Sequence, residues 1–286
     1  EESSQNLLLG QAGAQPSLTS GETVVPIEKG EPVIISDLLP SAWKSGGMNH
    51  VMGYDQRDAH AFLDSYLDIL SKHSVKFRKR VHHSVTKVFK ENAVVPELCE
   101  RVDMIRDIFG GSLRSVLLCE TCGEKRIQNE PYMNISLSLS EEIEKMHEGG
   151  LNIETCLQHF VLPELLGDLV FCSSCRKRTP TKKQHTFAKF PKILCLHLKR
   201  FDAAKNKKIE DFVSFPSHGL NMGVLLSHWC EVTRLGSSAS KNGESMPTAE
   251  PKILYDLYGT VNHIGNMQSG HYVSNVKVDD TWYHCN

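Results

Sequence analysis

The chain has 286 residues, of which 40% are hydrophobic and 23% are charged, and its formal net charge at pH 7 is -2. These values exclude a fully disordered chain, a collagen-like repeat and a uniformly basic nucleic-acid-binding coat. No apolar run approaches the roughly 20 residues that a membrane-spanning helix needs, so we expect no membrane association.

The first residues, Glu-Glu-Ser-Ser-Gln, lack the basic and apolar regions of a secretory signal, which predicts an intracellular protein. In that setting the nine cysteines are expected to be reduced, metal-bound or buried rather than paired in disulfides. Residues 1–35 are predicted to form a flexible N-terminal stretch, because most of them follow neither the helical nor the strand period. Residues 236–251 have a similar composition and are predicted to form a loop insertion.

Two helices are predicted in the first part of the chain. The first runs from about Asp55 to Leu70, with Asp55 as its N-cap and one apolar face. That face consists of Ala59, Phe62, Leu63, Tyr66, Leu67 and Leu70. The second runs from Pro96 to Phe109, because proline favours a first turn and the pair Gly110-Gly111 ends a helix.

After residue 111 the hydrophobic period changes to two, which predicts strands. The predicted strands cover residues 133–139, 194–198, 253–262 and 271–278. The pair Asp279-Asp280 predicts a tight turn immediately after the last of them. A chain that is helical early and rich in strands later has an α+β fold.

Two Cys-x-x-Cys pairs, Cys119/Cys122 and Cys172/Cys175, have 49 residues between them. Two residues between cysteines let one turn present both sulfurs to an ion, and two such turns complete a tetrahedral thiolate site. A site with four sulfurs has no open position, so the pattern predicts a structural zinc ion. The alternative is two unrelated pairs of buried or redox-active cysteines.

Residues 176–208 contain twelve lysines and arginines and one acidic residue, Asp202. This surplus fits either contact with an acidic partner, such as nucleic acid, or a solvated sheet face that offsets the charge of the thiolates. A zinc-ribbon nucleic-acid binder ranks last, because it leaves the segment Gly270-His271-Tyr272 unexplained.

A loop between two glycines precedes His271, which begins a predicted strand. If Asp279-Asp280 is a two-residue hairpin turn, Asn286 is a diagonal neighbour of His271 on the same face of the sheet. An amide oxygen there accepts the imidazole N–H and leaves the other ring nitrogen to act as a base. A one-residue bulge would break this geometry, and a histidine beside a glycine is more often simply packed or solvated.

Five motifs occur in one order and together resemble the catalytic domain of the ubiquitin-specific proteases, which are papain-like deubiquitinases. The motifs are Gly53-Tyr54-Asp55-Gln56-Arg57-Asp58-Ala59-His60-Ala61-Phe62, the paired Cys-x-x-Cys segments, Phe190–Phe201, Val261-Asn262-His263-x-Gly265 and Gly270-His271-Tyr272. The resemblance runs from about residue 36 to the end of the chain. The finer pattern, Phe215-Pro216 and VNHxGxxxSGHY, is similar to the SAGA-coactivator branch that removes ubiquitin from histones.

The resemblance implies a thumb-palm-fingers fold of the α+β class with a zinc ribbon in the fingers, incomplete at both ends. The partial protease domain would cover residues 36–286. Within it, the helical thumb part would cover residues 36–111, the zinc-bearing fingers 112–190 and the palm 191–286. It also implies ubiquitin, ubiquitinated proteins including histones, and coactivator-complex subunits as partners, and the nucleus as location, with the cytoplasm as the alternative.

The resemblance further implies that a cysteine thiolate attacks the carbonyl of the C-terminal glycine of ubiquitin, with His271 as base and Asn286 as orienting residue. Asp58 would bind the arginine-bearing tail of ubiquitin through charge-assisted hydrogen bonds. Two positions depart from the family's QQDAHEF helix, because Arg57 replaces glutamine and Ala61 replaces glutamate.

The larger departure from the family concerns the nucleophile. The family's cysteine lies upstream of that helix in a Gly-Asn-Thr-Cys-like box, whereas this chain has no cysteine before Cys99. Packing explains Cys99, Cys195 and Cys285 better than an attacking role does. We therefore expect a deubiquitinase whose nucleophile lies upstream of Glu1, so that the chain alone is inactive. The alternative is a catalytically inactive pseudoprotease that binds ubiquitin or serves as a scaffold.

Overall fold

The computed structural model describes residues 4–11, 58–88, 103–140, 143, 150–202, 205–227 and 252–286, with only the backbone for 4–11 and 75–88. The helices in these ranges are α1 (Ala59–Val88), α2 (Met104–Phe109), α3 (Ile153–Phe160) and α4 (Gly223–Ser227). The first eight strands are β1 (Ser4–Gln11), β2 (Gly111–Cys119), β3 (Lys125–Tyr132), β4 (Ile135–Ser138), β5 (Glu164–Leu165), β6 (Val170–Cys172), β7 (Lys177–Thr179) and β8 (Thr181–Lys189). The others are β9 (Ile193–Lys199), β10 (Phe201–Asp202), β11 (Lys207–Lys208), β12 (Leu220–Asn221), β13 (Leu254–Gly265), β14 (Gly270–Val278) and β15 (Thr281–Cys285).

Helix α1 begins one residue after Asp58, whose carboxylate Oδ1 accepts the backbone N–H groups of His60 at 2.6 Å and Ala61 at 3.3 Å. Asp58 therefore performs the N-cap role that the sequence assigned to Asp55, which lies outside the described residues. The predicted apolar face contains the buried Leu67, but it omits Ile69, which is buried as well. The helix thus buries a broader surface than one predicted stripe.

Helix α2 is shorter than predicted. It ends at Phe109 before Gly110, as expected, but it begins only at Met104. Asp103 has extended backbone angles and its carboxylate accepts the N–H groups of Ile105 and Arg106, so it starts the helix. A continuous helix from Pro96 to Phe109 is therefore wrong, although residues 96–102 lie outside the described part.

The larger sheet, which we call the palm sheet, has the strand order β15-β14-β13-β1-β9-β4, and β12 also pairs with β13. Its pairs are antiparallel except for β4 and β9, which are parallel. The strands predicted over residues 194–198, 253–262 and 271–278 are confirmed as β9, β13 and β14. Both faces of β9 are covered, because Cys195 and Leu196 are each at most 3% exposed.

Strand β1 lies between β13 and β9 in the middle of the palm sheet. Its backbone pairs antiparallel with both neighbours, with Leu8 opposite Gly259 on one side and Cys195 on the other. Residues 4–11 are therefore ordered as a strand, which corrects the expectation of a flexible stretch for that part of residues 1–35. The remainder of that stretch and the predicted insertion over 236–251 lie outside the described residues.

The smaller sheet, the fingers sheet, is antiparallel with the order β3-β2-β8-β5, and β6 and β7 form a separate two-stranded ribbon over residues 170–179. One apolar core joins the two sheets. It includes Leu113 and Phe187 from the fingers sheet, Leu137 and Leu194 from the palm sheet, and Leu157 from α3. Among the described helices, none is long and apolar enough to cross a membrane.

Candidate active site and metal centre

The hairpin β14–β15 brings together the two residues predicted to act in catalysis. Asp279 and Asp280 both have positive φ angles, 46° and 65°, which is the backbone of a two-residue type I′ turn. The turn places Val278 opposite Thr281 without a bulge. Side chains alternate along each strand, so His271 and Asn286 come to lie on the same face.

The imidazole Nε2 of His271 lies 2.5 Å from Oδ1 of Asn286. An amide oxygen only accepts hydrogen bonds, so Nε2 of the neutral ring carries the proton and donates it. The other ring nitrogen, Nδ1, then keeps its lone pair. This arrangement fixes the orientation of the ring and leaves Nδ1 able to accept a proton, and the adjacency predicted from the hairpin register is confirmed.

A buried histidine packs directly behind this hairpin end. His263 is 2% exposed, and its ring lies 4.9 Å from the ring of Tyr272 and 5.2 Å from that of Phe201, measured between centroids. A Cβ atom on Gly270 would lie 2.2 Å from His263 Nε2. Burial lowers the pKa of His263, with Lys208 contributing in the same direction. The glycine before His271 is therefore required by close approach to the His263 ring.

Asp58, His263 and Tyr272 line one cleft of about 450 Å³, and Tyr272 directly follows His271 in the chain. The hydroxyl of Tyr272 accepts the backbone N–H of Ala59 at 3.4 Å, which ties the start of α1 to β14. Within the described part of the chain, the second carboxylate oxygen of Asp58 has no hydrogen-bond partner. The exposed Asp58 can therefore cap the helix with one oxygen and present the other to a ligand.

A pair of histidines that sequence reasoning missed lies beside Asp58. The rings of His60 and His197 stack with centroids 4.0 Å apart and planes 7° from parallel. His60 Nε2 lies 2.7 Å from Asn134 Oδ1, and His197 Nδ1 lies 3.0 Å from Ser136 Oγ. Burial, followed by His60, lowers the pKa of His197 to about 4.

The two stacked rings and Asp58 bring three potential ligand atoms within 4.8 Å of one another. A metal ion binds in the plane of an imidazole, and an ion in one of two stacked parallel planes lies outside the other. We therefore interpret the pair as packing that connects α1 with β9 and β4. The sequence signal was weak, because His197 occupies a position that alternation assigns to a solvated face.

The four predicted metal ligands converge at the tip of the fingers sheet. Cys119 Sγ lies 3.9 Å from Cys175 Sγ, and Cys122 Sγ lies 3.6 Å from Cys172 Sγ. All four sulfurs are within 4.8 Å of one another. A tetrahedral site with Zn–S bonds of about 2.3 Å has sulfurs about 3.8 Å apart, so the cysteines fit such an ion.

Two neighbouring side chains organise these cysteines. The Thr179 hydroxyl lies 3.2 Å from Cys119 Sγ and is the main reason why the pKa of that thiol is lowered to about 6. Glu124, which follows the first cysteine pair, accepts hydrogen bonds from Ser173 Oγ at 3.2 Å and the Ser174 N–H at 3.0 Å. Bonds to the second turn, Ser174 first, lower the Glu124 pKa to about 2. Glu124 thus links the two cysteine turns through its carboxylate.

Cysteines elsewhere in the described ranges do not fit the role of nucleophile. Burial raises the pKa of Cys156 to about 11 and that of Cys195 to about 12, so neither forms a thiolate readily. Cys285 is exposed, but it pairs with Ser274 and points to the face opposite that of Asn286. Cys99 lies outside the described residues.

Several charges of the basic stretch over residues 176–208 are already engaged within the fold. Lys182 forms an ion pair with Glu120 at 3.3 Å. Arg200 is 2% exposed and its Nη1 donates to the carbonyl of Asp211 at 2.7 Å. Only part of the positive charge of this stretch is therefore unpaired at the surface, which weakens the nucleic-acid interpretation.

The fold is that of a papain-like protease with thumb, palm and fingers, and four cysteines cluster at the tip of the fingers. The family model for ubiquitin carboxyl-terminal hydrolase matches residues 28–286, so the chain belongs to that family. Mouse ubiquitin carboxyl-terminal hydrolase 27 is 33% identical over 260 residues, which are 82% of this chain and 55% of the relative. Human ubiquitin carboxyl-terminal hydrolase 22 is 30% identical over 276 residues, 89% of this chain and 49% of the relative.

A similar solved structure is the SAGA Ubp8/Sgf11/Sus1/Sgf73 DUB module bound to ubiquitin aldehyde. The TM-score is 0.59 and the identity 26%, and the alignment covers 87% of this chain and 48% of that one. These relatives agree with the resemblance to the SAGA-associated branch. The chain spans about half the length of the relatives it matches.

Proposed function

We propose that this chain supplies the base, the ubiquitin-tail carboxylate and the metal-bound fingers of a thiol-dependent deubiquitinase. The reaction is hydrolysis of the peptide or isopeptide bond after the C-terminal glycine of ubiquitin. The single observation that carries the proposal is the 2.5 Å contact between His271 Nε2 and Asn286 Oδ1, next in the chain to Tyr272, which lines the same cleft as Asp58. Family membership supports the same chemistry.

In this proposal Nδ1 of His271 removes the proton from a cysteine thiol outside the 286 residues. The thiolate adds to the carbonyl carbon, and the amine leaves with the proton that Nδ1 returns to it. Water then cleaves the thioester with Nδ1 again as base. The hydrogen bond to Asn286 stabilises the protonated imidazole between these steps.

The proposed role of Asp58 is to hold the tail of ubiquitin in the cleft. Its outward oxygen accepts hydrogen bonds from the tail backbone or from an arginine, while Oδ1 continues to cap α1. We propose zinc as the ion held by the four cysteines, because a tetrahedral set of thiolates is the ligand set that zinc prefers. The ion is structural, since no coordination position remains open.

The test compares the 286-residue chain with a version extended at its N-terminus through the coding sequence for a Gly-Asn-Thr-Cys-like box. We expect no turnover of a ubiquitin–fluorophore conjugate by the chain alone and clear turnover by the extended protein. Cysteine→Ala within the box is the control and should abolish the signal. An extended protein that remains inert with cysteine, His271 and Asn286 all present would contradict the proposal.

The second candidate function is ubiquitin binding without catalysis, which the outward carboxylate oxygen of Asp58 in the cleft supports. Both functions require Asp58, and Asp58→Asn removes its charge while keeping a good helix N-cap. We expect this variant to weaken ubiquitin binding about tenfold or more, because a charge-assisted hydrogen bond is lost. Calorimetry measures the change, and Asp68→Asn, at a half-exposed carboxylate that pairs with Lys72 on the same helix, is the matched control.

We further propose ubiquitinated histones as substrates, subunits of a coactivator complex as partners, and the nucleus as location. The support is the similarity to the SAGA DUB module, whose subunits are seen with the related chain. The test is cleavage of mononucleosomes that carry ubiquitinated histone, compared with cleavage of free diubiquitin. Faster cleavage of diubiquitin would contradict the histone proposal.

A further inference from the structure

Lys208 is a buried lysine whose charge has no carboxylate partner among the hydrogen bonds that the structure gives it. The residue is 8% exposed, and Nζ donates to two backbone carbonyls, that of His263 at 3.1 Å and that of Gly265 at 2.6 Å. Burial lowers its pKa, with Arg200 adding to the effect and Glu210 opposing it. An ammonium group removed from water in this way must be compensated by its acceptors.

The position of the two carbonyls gives the contact its meaning. They bracket Ile264, which pairs with His271 across β13 and β14, and Gly265 pairs with Gly270. Lys208 thus holds the segment of β13 that directly supports the residue proposed as base.

The short ribbon that carries Lys208 supports the same place through a second contact. Phe201 pairs with Lys208 across β10 and β11, and its ring meets the His263 ring edge-on at 5.2 Å. The His263 ring in turn fills the space where Gly270 has no side chain. Ammonium and aromatic ring therefore act on opposite parts of one residue, His263.

We propose that Lys208 is a positioning residue that holds the β13–β14 end in the register that brings His271 Nε2 to Asn286. The proposal rests on the proposed function only where catalysis is concerned. Its structural content is that removing the ammonium frees residues 263–271 to move, which loosens the 2.5 Å contact. Lys207, the preceding residue, is exposed and is expected to have no such effect.

The first experiment determines the tautomer of the His271 ring in the 286-residue chain and does not require enzymatic activity. The ¹⁵N chemical shifts of the imidazole report which nitrogen carries the proton. Lys208→Met keeps most of the side-chain length but removes the N–H donors of the ammonium group. In this variant we expect a mixture of the two neutral tautomers of His271. Hydrogen exchange at residues 263–272 should accelerate about tenfold or more, because two charge-assisted bonds are lost. Lys207→Met should retain the Nε2–H form and the slow exchange.

Lys208→Arg provides the rescue, because a guanidinium also donates to two carbonyls. We expect it to restore the Nε2–H form at least partly, whereas Lys208→Gln, without the charge, should resemble Lys208→Met. If Lys208→Met does not fold, the comparison of Lys208→Arg with Lys208→Gln decides the matter. Unchanged His271 shifts in Lys208→Met or Lys208→Gln would overturn the proposal.

The second experiment uses the N-terminally extended protein. We expect Lys208→Met to lower kcat about tenfold or more and to leave KM nearly unchanged, because Asp58 and the fingers are untouched. An equal loss of kcat in Lys208→Met and in Lys207→Met would contradict the positioning role. If the unsubstituted extended protein is inert, the proposed function fails, and the ring measurement still decides the role of Lys208.

Discussion

The palm hairpin and the fingers tip assemble their functional atoms in different ways. His271 and Asn286 are 15 positions apart in one hairpin, whose turn fixes their register. The four cysteines come from two turns that meet because β2 pairs with β8, with Cys119 opposite Thr181. The first arrangement is local and needs no ligand, whereas the second depends on long-range pairing and on neutralising several thiolates. The two regions should therefore fail independently.

The largest expected effect breaks the palm site alone. In the extended protein we expect His271→Ala to lower kcat by about 10³-fold, because general acid–base catalysis contributes 10²–10⁴-fold. Asn286→Ala should have a smaller effect on kcat, since the base remains but loses its orientation. The initial rate of hydrolysis of a ubiquitin–fluorophore conjugate, followed by fluorescence, measures kcat for both variants. His284→Ala, exposed on the neighbouring strand, is the control, and equal losses in all three would argue against the assignment.

The next effect breaks the fingers alone. Cys172→Ser should reduce bound zinc from one equivalent to less than half, because the thiolate set is no longer complete. Elemental analysis measures the metal, and hydrogen exchange should accelerate in β6 and β7 but not in β14. Cys285→Ser, an exposed cysteine outside the cluster, should retain the metal. Loss of protection in β14 as well would show that the two regions are coupled.

A smaller effect, on the stability of the palm, tests the close approach between Gly270 and His263. Gly270→Ala places a Cβ 2.2 Å from His263 Nε2, so we expect the free energy of unfolding to fall by about 1–3 kcal/mol. Gly167→Ala is the matched control, because a Cβ there meets no atom within 4 Å. Chemical denaturation measures both. A Gly270→Ala protein as stable as the Gly167→Ala protein would mean that the His263 ring and the Ile264 carbonyl, 2.4 Å from that Cβ, both move aside without cost.

The last effect concerns acid stability. The pKa of His197 is about 4 in the folded chain, whereas a histidine in the unfolded chain has the ordinary pKa of 6.5. Between pH 4 and pH 6.5 the unfolded chain therefore binds more protons than the folded chain. Stability should therefore fall as the pH decreases from about 6.5 to 4. His197→Gln should flatten this dependence while leaving the pH profile of bound zinc unaltered. Denaturation midpoints across that range provide the measurement, and an unchanged slope would refute the assignment.

The sequence predicted those parts of the sites that have short-range causes. Alternation and a two-residue turn were sufficient to place His271 beside Asn286. The spacing of the cysteines predicted one cluster even though 49 residues separate the pairs, because each pair is itself a local motif. The helix end at Gly110 was also predicted, although this glycine has an extended backbone with φ -83° rather than a left-handed one.

The remaining features depend on contacts between distant segments. Lys208 was counted among surface charges, because its burial arises only when β10 and β11 pack under β13. The stack of His60 on His197 requires α1 to lie against β9. The start of α2 after Asp103 was missed, because Pro96 and the apolar periodicity predicted a helix that begins earlier. The carboxylate of Asp103 instead accepts backbone N–H groups and starts the helix there. Tertiary placement outweighed local preference in each case.

The central place of β1 has a consequence for any shortened version of the protein. Its backbone supplies hydrogen-bond partners to β9 and β13 at once. Deleting residues 1–11 would open a gap in the sheet and expose two long, unpaired strand borders, each able to template association with another molecule. Trimming the first residues would thus produce aggregates before it affected either the imidazole or the thiolates.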